Sequence, residues 1–280
     1  MTVARESCLA KGLTAKMTLK NNKSLGQHWL KDRLILDAMV EFAGVGPDDT
    51  VLEIGPGLGT LTSAILRRAK RVVAVEFDAD LAHKLPAQFP GKNLEVINSD
   101  ILQFDLSQLP QGYKVVANLP YYITAKIVNF LISAPHRPAS ITILIQKEVA
   151  ERIAQTAGSS ILGLAVENYA TVELGEIIGP EWFTPPPKVD SQIVRLDLRR
   201  QPLITEAELE RQFFRVVKAG FSAKRKKLRS SLAGGLALDK TAVEQLLKTA
   251  TIDPNWRAED LTFEQFWRLT EAYLAKKNPR

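Results

Sequence analysis

Val51-Leu52-Glu53-Ile54-Gly55-Pro56-Gly57-Leu58-Gly59 decides the fold of this 280-residue chain. A short, mostly apolar run of strand-favouring residues meets three glycines at alternate positions. Leu61, Ile65 and Leu66 follow at helical spacing. Strand, glycine turn and helix, in that order, open a doubly wound α/β fold, whose ligands bind at the carboxyl ends of parallel strands. The glycines let a ligand approach the backbone. The loop departs from the dinucleotide fingerprint, because Gly55, Gly57 and Gly59 do not read G-x-G-x-x-G and Glu53 stands two residues ahead. A pyrophosphate favours an open helix N-terminus. An acid before the loop suits a ligand with positive charge. S-adenosylmethionine, with a sulfonium, an ammonium and no phosphate, is such a ligand.

The same arrangement repeats along the chain. Residues 71–76 read as the next strand, and Glu76 closes it, 21 residues after Gly55. That is close to the spacing expected of an acid that binds ribose hydroxyls. Asp78 and Asp80 are expected to sit at the N-terminus of the following helix, with no ligand role. Residues 94–97 read as a third strand, with Asp100 just beyond it placed to hold an adenine amine. Val115-Val116-Ala117 then stops at Asn118-Leu119-Pro120-Tyr121-Tyr122. Pro120 cannot donate to a ladder, so the strand ends there. An amide oxygen and a bare carbonyl can accept hydrogen bonds from an exocyclic amine while an aromatic ring stacks on the base that carries it. Four strand ends, each delivering a suitable group, point to chemistry on the amino group of an adenine.

These residues resemble the ribosomal RNA adenine N6,N6-dimethyltransferases that act on the small ribosomal subunit. The resemblance runs from about Lys23 to the C-terminus. It is carried by Ser24-Leu25-Gly26-Gln27-His28-Trp29-Leu30, Glu53 to Gly59, Glu76, Asn98 to Ile101, Asn118 to Tyr121, Phe183-Thr184-Pro185-Pro186-Pro187-Lys188-Val189-Asp190-Ser191, and the basic run Lys218 to Arg229. The family's first motif commonly has Asn and Phe where this chain has His28 and Trp29. An imidazole can replace an amide as donor or acceptor. The resemblance implies a Rossmann-like class I S-adenosylmethionine-dependent methyltransferase, with a seven-stranded, mostly parallel sheet and a small all-helical C-terminal domain. It implies dimethylation of two adjacent adenosines near the 3′ end of small-subunit (16S) rRNA during ribosome biogenesis, with S-adenosylhomocysteine as product and no metal. His28, Leu30, Gly55, Gly57, Glu76, Asp100 and Asn118 are the expected cofactor contacts. Asn118, Leu119, Pro120 and Tyr121 are expected to hold the target adenine, with Phe183 as a second stacking ring. The rival readings are a large-subunit adenine methylase of the resistance type, which shares Asn-Leu-Pro-Tyr, and a non-catalytic assembly or RNA-binding factor on the same scaffold. The Pro-rich segment and the helical C-terminal part favour the small-subunit enzyme.

Charge and composition agree. No apolar run approaches the 18 residues of a membrane span, and the N-terminus lacks the apolar core of a secretory signal. One cysteine, Cys8, excludes an internal disulfide. A cytoplasmic monomer is expected. The chain carries a net +6, yet residues 1–31 alone carry +5 and residues 215–229 carry +7, so the remainder is acidic. An acidic body with two basic segments reads as polyanion contact at defined places. Lys218, Lys224, Arg225, Lys226, Lys227 and Arg229 are the expected RNA contacts; the alternative is a solvated helix face. Residues 1–22 read as a basic tail, with Met17 as an alternative start and a transit segment as a competing reading. Residues 23–200 read as the catalytic domain, with further strands at 50–54, 113–117, 140–145, 172–178 and 192–198 and a helix at 160–170. The last two strands read as a hairpin joined by a stiff, extended Pro185-Pro186-Pro187 connection. Residues 206–280 read as the helical RNA-binding domain.

Overall fold

The computed structural model describes residues 28–155, 159–223 and 225–277. The expected tail, Ser24 to Gln27 of the first motif, and Lys224 lie outside the described residues.

Seven strands form one sheet. They are β2 (Thr50–Ile54), β3 (Arg71–Glu76), β4 (Leu94–Asn98), β5 (Lys114–Asn118), β6 (Ser140–Gln146), β7 (Ala170–Ile178) and β9 (Ser191–Leu198), in the order β4-β3-β2-β5-β6-β9-β7. The first five of that order are parallel. β9 runs antiparallel to both β6 and β7. Two further strands, β1 (Trp29–Leu30) and β8 (Phe183–Thr184), make a separate antiparallel ribbon.

The central strands are apolar because both sheet faces are covered. Side chains alternate between faces. Val115 and Ala117 of β5 enter a core with Ile127 and Leu131 of α4 (Thr124–Ser133). Val116 enters the opposite core with Leu36 and Met39 of α1 (Arg33–Phe42) and Ile65 of α2 (Thr60–Ile65). α1 starts where the Asp32 carboxylate accepts from the Ile35 N–H at 3.0 Å. α3 (Ala79–Lys84) is capped by Asp78, with Asp80 in its first turn, as the sequence predicts.

α5 (Lys147–Ile153) and α6 (Ile161–Tyr169) precede β7. The chain then enters α7 (Ala207–Phe221), α8 (Leu228–Leu236), α9 (Lys240–Thr249) and α10 (Phe263–Lys277). These helices share a core of their own, with Phe213, Val217, Leu232, Leu247 and Phe266 inside and Leu164 of α6 joining it. A polar contact also ties the two parts: Glu210 Oε1 accepts from Asn168 Nδ2 at 3.0 Å and from the Tyr169 hydroxyl at 2.6 Å.

Two expectations and one alternative need correction. The connection between β7 and β9 is not extended throughout: it carries β8, and the chain bends at Pro185, after a cis Thr184–Pro185 peptide, and again at Lys188 and Val189. The alternative read for the basic run, a single helix face, does not hold: Lys218 lies on α7 and Arg229 on α8, while Arg225, Lys226 and Lys227 lie in the turn between them. A chain of adjacent cations repels itself less when splayed in a turn than when stacked at helical spacing. Phe183 is not presented as a stacking face. It is 4% exposed, pairs with Leu30 across the β1–β8 ribbon, and packs in the α1-side core.

Candidate active site at the carboxyl edge of the sheet

A cavity of about 310 Å³ opens at the carboxyl ends of β4, β3, β2 and β5. That is within the range of small-molecule sites. His28, Leu30, Gly55, Gly57, Glu76, Asp100, Asn118, Leu119, Pro120 and Tyr121 all line it. Of the residues expected at the cofactor and the target base, only Phe183 is absent from the wall.

The glycine turn shapes one end. Gly55, Gly57 and Gly59 have φ of +66°, +55° and +79°, which L side chains rarely adopt. A Cβ on Gly57 would come within 3.3 Å of the Trp29 indole nitrogen, whereas one on Gly55 would meet no atom within 4 Å. The space over Gly55 is thus open to a ligand. Beneath it lies Glu53, 1% exposed, with neither carboxyl oxygen in a well-formed hydrogen bond. Burial pushes its pKa up to about 8, and neighbouring Glu76 adds to the rise. Thr62, the nearby donor, opposes that rise only in part, and a buried acid so poorly paired in a pocket wall fits a ligand that brings positive charge.

Glu76 holds the loop. One of its oxygens accepts from the Gly57 N–H at 3.0 Å, the other from the Asp78 N–H at 2.9 Å. Burial raises its pKa, opposed by those backbone donors. A carboxylate has about four lone-pair sites, so capacity for two hydroxyls remains. Asp100, half-buried, uses Oδ1 to cap the short turn Ile101–Gln103 through the Leu102 N–H at 2.9 Å.

The other end is built on β5. Asn118 Nδ2 donates to the His28 carbonyl at 3.2 Å. A carbonyl only accepts, so this contact identifies the nitrogen and turns Oδ1 away from it. The Leu119 N–H is tied to the Leu144 carbonyl at 3.3 Å, and the Pro120 carbonyl accepts from the Thr124 hydroxyl at 3.2 Å. These bonds fix the peptides on either side of the turn. The Tyr121 hydroxyl lies 2.8 Å from Ser191 Oγ, at the end of the Pro-rich motif. Its pKa is raised by burial. The His28 ring stacks on Tyr121 with centroids 5.7 Å apart, and its Nδ1 donates to the Pro185 carbonyl at 2.8 Å. His28 therefore bridges the first motif, Asn118, Tyr121 and the Pro-rich motif.

Among the wall residues that sequence reasoning missed are two exposed aromatics. Phe77 and Tyr122 are each 65% exposed and line the cavity. Both directly follow a residue already singled out, and a large exposed aromatic at a strand's carboxyl end was the available signal. The basic residues lie apart from the cavity lining. Lys218, Arg225, Lys226 and Lys227 are exposed, Lys227 Nζ donates to Asn255 Oδ1 at 2.8 Å, and Arg229 pairs with Glu244 of α9 at 2.5 Å. Among the described residues no group of three or more His, Cys, Asp or Glu side chains is placed to hold a metal, and no helix is long and apolar enough to cross a membrane.

The chain is similar to known proteins along most of its length. Residues 18–275 match the family described as ribosomal RNA adenine dimethylase. A ribosomal RNA small subunit methyltransferase A from Dehalococcoides mccartyi is 40% identical over 269 residues, covering 94% of this chain and 92% of its own. Another of that name from Clostridium botulinum is 38% identical over 268 residues, covering 93% and 97%. Among solved structures, the 23S rRNA methyltransferase ErmE matches with a TM-score of 0.70 at 31% identity, covering 87% of this chain and 98% of its own. A dimethyladenosine transferase from Plasmodium falciparum matches with a TM-score of 0.73 at 26% identity, covering 89% and 98%.

Proposed function

This chain belongs to the ribosomal RNA adenine dimethylase family, and from that premise we propose that it dimethylates the N6 amines of two adjacent adenosines near the 3′ end of small-subunit rRNA. It is an S-adenosylmethionine-dependent enzyme with a Rossmann-like class I methyltransferase fold. The observation that carries the reading is Asn118, whose amide nitrogen is spent on the His28 carbonyl. Its oxygen is left as an acceptor beside Leu119 and Tyr121, where an amine would be held.

The pocket residues fit the cofactor. Glu76 would take the ribose hydroxyls, Asp100 the adenine amine, Gly55 and Gly57 would let the chain pass close, and Glu53 would face positive charge. When bound, the cofactor supplies a methyl group on a sulfonium, a strong electrophile. The rest of the work belongs to the chain. An adenine amine is a poor nucleophile because its lone pair is conjugated with the ring. Asn118 Oδ1 and the Leu119 carbonyl accept its two hydrogens and favour a pyramidal nitrogen. Tyr121, anchored by Ser191, stacks on the flipped base and fixes the line of attack. Proximity and orientation then supply most of the rate. The methylated nitrogen is cationic and strongly acidic and gives up one hydrogen as a proton to water, so no strong base is needed.

Residues 23–200 would form the catalytic domain and residues 206–280 the part that docks RNA through Lys218, Arg225, Lys226 and Lys227. S-adenosylhomocysteine is the product, no metal takes part, and the enzyme works as a cytoplasmic monomer on immature small subunits. The curated relatives with which it shares about 40% identity carry the small-subunit name. The structural likeness to ErmE favours a second reading, a large-subunit adenine methylase. Tritiated-methyl transfer to immature small, mature small and large subunits, side by side, separates the two. Label on immature small subunits alone is expected; label on large subunits would replace the first reading with the second.

A further inference from the structure

We propose that Tyr122 and Lys126 form a subsite for the nucleotide adjoining the target adenosine, the Tyr122 ring stacking on its base and Lys126 meeting its phosphate. The inference rests on the RNA-methylating reading of the site. Two exposed aromatics line the cavity, and the sheet order assigns them to opposite halves. Phe77 follows Glu76 at the end of β3, beside the Asp100 edge of β4, where the cofactor's adenosine is read. Tyr122 stands beyond β5, two strands away from β3 in the sheet and next in the chain to the ring that stacks on the target. On its other side β5 borders β6, with β9 beyond it. Tyr122 therefore lies on the substrate side of the cavity.

Its environment suits a ligand and little else. At 65% exposed it contributes little to the core, whereas the adjacent Tyr121 is held by Ser191 and His28. Lys126 is exposed on the first turn of α4, four residues on, with no ion pair among the described residues. An exposed aromatic at the cavity wall, with an exposed cation four residues on in the chain, supplies the two groups that single-stranded RNA uses, base on ring and phosphate on charge. A flipped nucleotide drags its neighbour to the pocket mouth, because the backbone joining them spans only a few bonds. The residue that follows Tyr121 is where that neighbour arrives.

The test compares wild type with Tyr122→Ala, Tyr122→Leu, Tyr122→Trp and Lys126→Gln. Two measurements are made: steady-state methyl transfer to immature small subunits, and equilibrium binding of an end-labelled oligoadenylate with S-adenosylhomocysteine present. Loss of one base stack is expected to raise KM and weaken oligoadenylate binding roughly tenfold for Tyr122→Ala and Tyr122→Leu. Tyr122→Trp should match wild type, and Lys126→Gln should flatten the salt dependence of binding. Calorimetric affinity for S-adenosylhomocysteine alone should not move. The subsite is overturned if Leu serves as well as Trp, if cofactor affinity falls with Tyr122, or if every variant matches wild type. A wild-type enzyme that ignores small subunits overturns the substrate assignment alone, since oligoadenylate binding still judges Tyr122.

Discussion

The Asn118 side chain donates its amide nitrogen to the backbone carbonyl of His28, 90 residues away, at 3.2 Å. One strand end and one N-terminal segment thereby fix which way an amide points. The functional atom, Oδ1, is aimed by a bond that the other half of the amide makes.

Asn118→Ala is expected to leave cofactor affinity near wild type and to slow methyl transfer by about a hundredfold or more, as where positioning dominates. Asn118→Asp should do no better, because an oxygen then faces the His28 carbonyl and the carboxylate must turn away or bind a proton. Single-turnover kinetics on immature small subunits decides. A normal rate for Asn118→Ala removes the amine-holding role.

Tyr121 supplies a ring and an anchoring hydroxyl, and the two separate by mutation. Tyr121→Phe keeps the face that stacks and loses the 2.8 Å contact with Ser191. A neutral hydrogen bond contributes about 1 kcal/mol, so a rate loss within about tenfold is expected. Ser191→Ala should match it. Tyr121→Ala should cost about a hundredfold. If Phe proves as damaging as Ala, the hydroxyl takes part directly and the stacking account fails.

Glu53 predicts a pH dependence of stability without cofactor. Its folded pKa, about 8, lies above the ordinary carboxyl value of 4.5. The folded state therefore holds this proton more tightly than the unfolded chain does. Stability is unaffected below about pH 4.5, falls as pH rises toward 8, and levels off above. Glu76, whose pKa is also raised, contributes in the same direction. Glu53→Gln keeps the shape and cannot ionise. Denaturant midpoints between pH 5 and pH 9 should decline less for the variant, which should be more stable by a few kcal/mol at the alkaline end. Parallel curves would show that Glu53 stays ionised in the fold.

The seven-stranded sheet was legible because parallel strands buried on both faces must be apolar, and the runs around Val51, Val72 and Val115 can be little else. The expected acids lie at strand ends as read, since Glu76 and Asp100 close β3 and follow β4. The β1–β8 ribbon was not legible: two residues on each side carry no period. Its formation buries Phe183 against Leu30, so an aromatic assigned to the target base is packed in the core instead. The part played by His28 was hidden for another reason. Its carbonyl, not only its ring, holds Asn118, and a backbone group has no signature in a sequence. Arg229 looked like its neighbours in the basic run, but the fold gives it Glu244 as a partner.

That last distinction yields a test within the basic segment. Arg225 and Lys226 are exposed in the turn between α7 and α8 and make no ion pair among the described residues, whereas Arg229 is paired with Glu244 on α9. Cations free to meet phosphate release counterions on binding, and each lost contact lowers the salt slope by about 0.7–0.9. Arg225→Glu with Lys226→Glu should therefore weaken binding to immature small subunits strongly and reduce the slope by about one to two. Arg229→Ala should cost stability less than about 1 kcal/mol, as exposed pairs do, and leave the slope nearly unchanged. Cofactor affinity should not move in either case, because neither residue lines the cavity. A binding series across salt concentrations, with calorimetry alongside, reads all three quantities. If the double charge reversal leaves particle binding and its slope as they were, the turn is a solvated surface and RNA docks elsewhere.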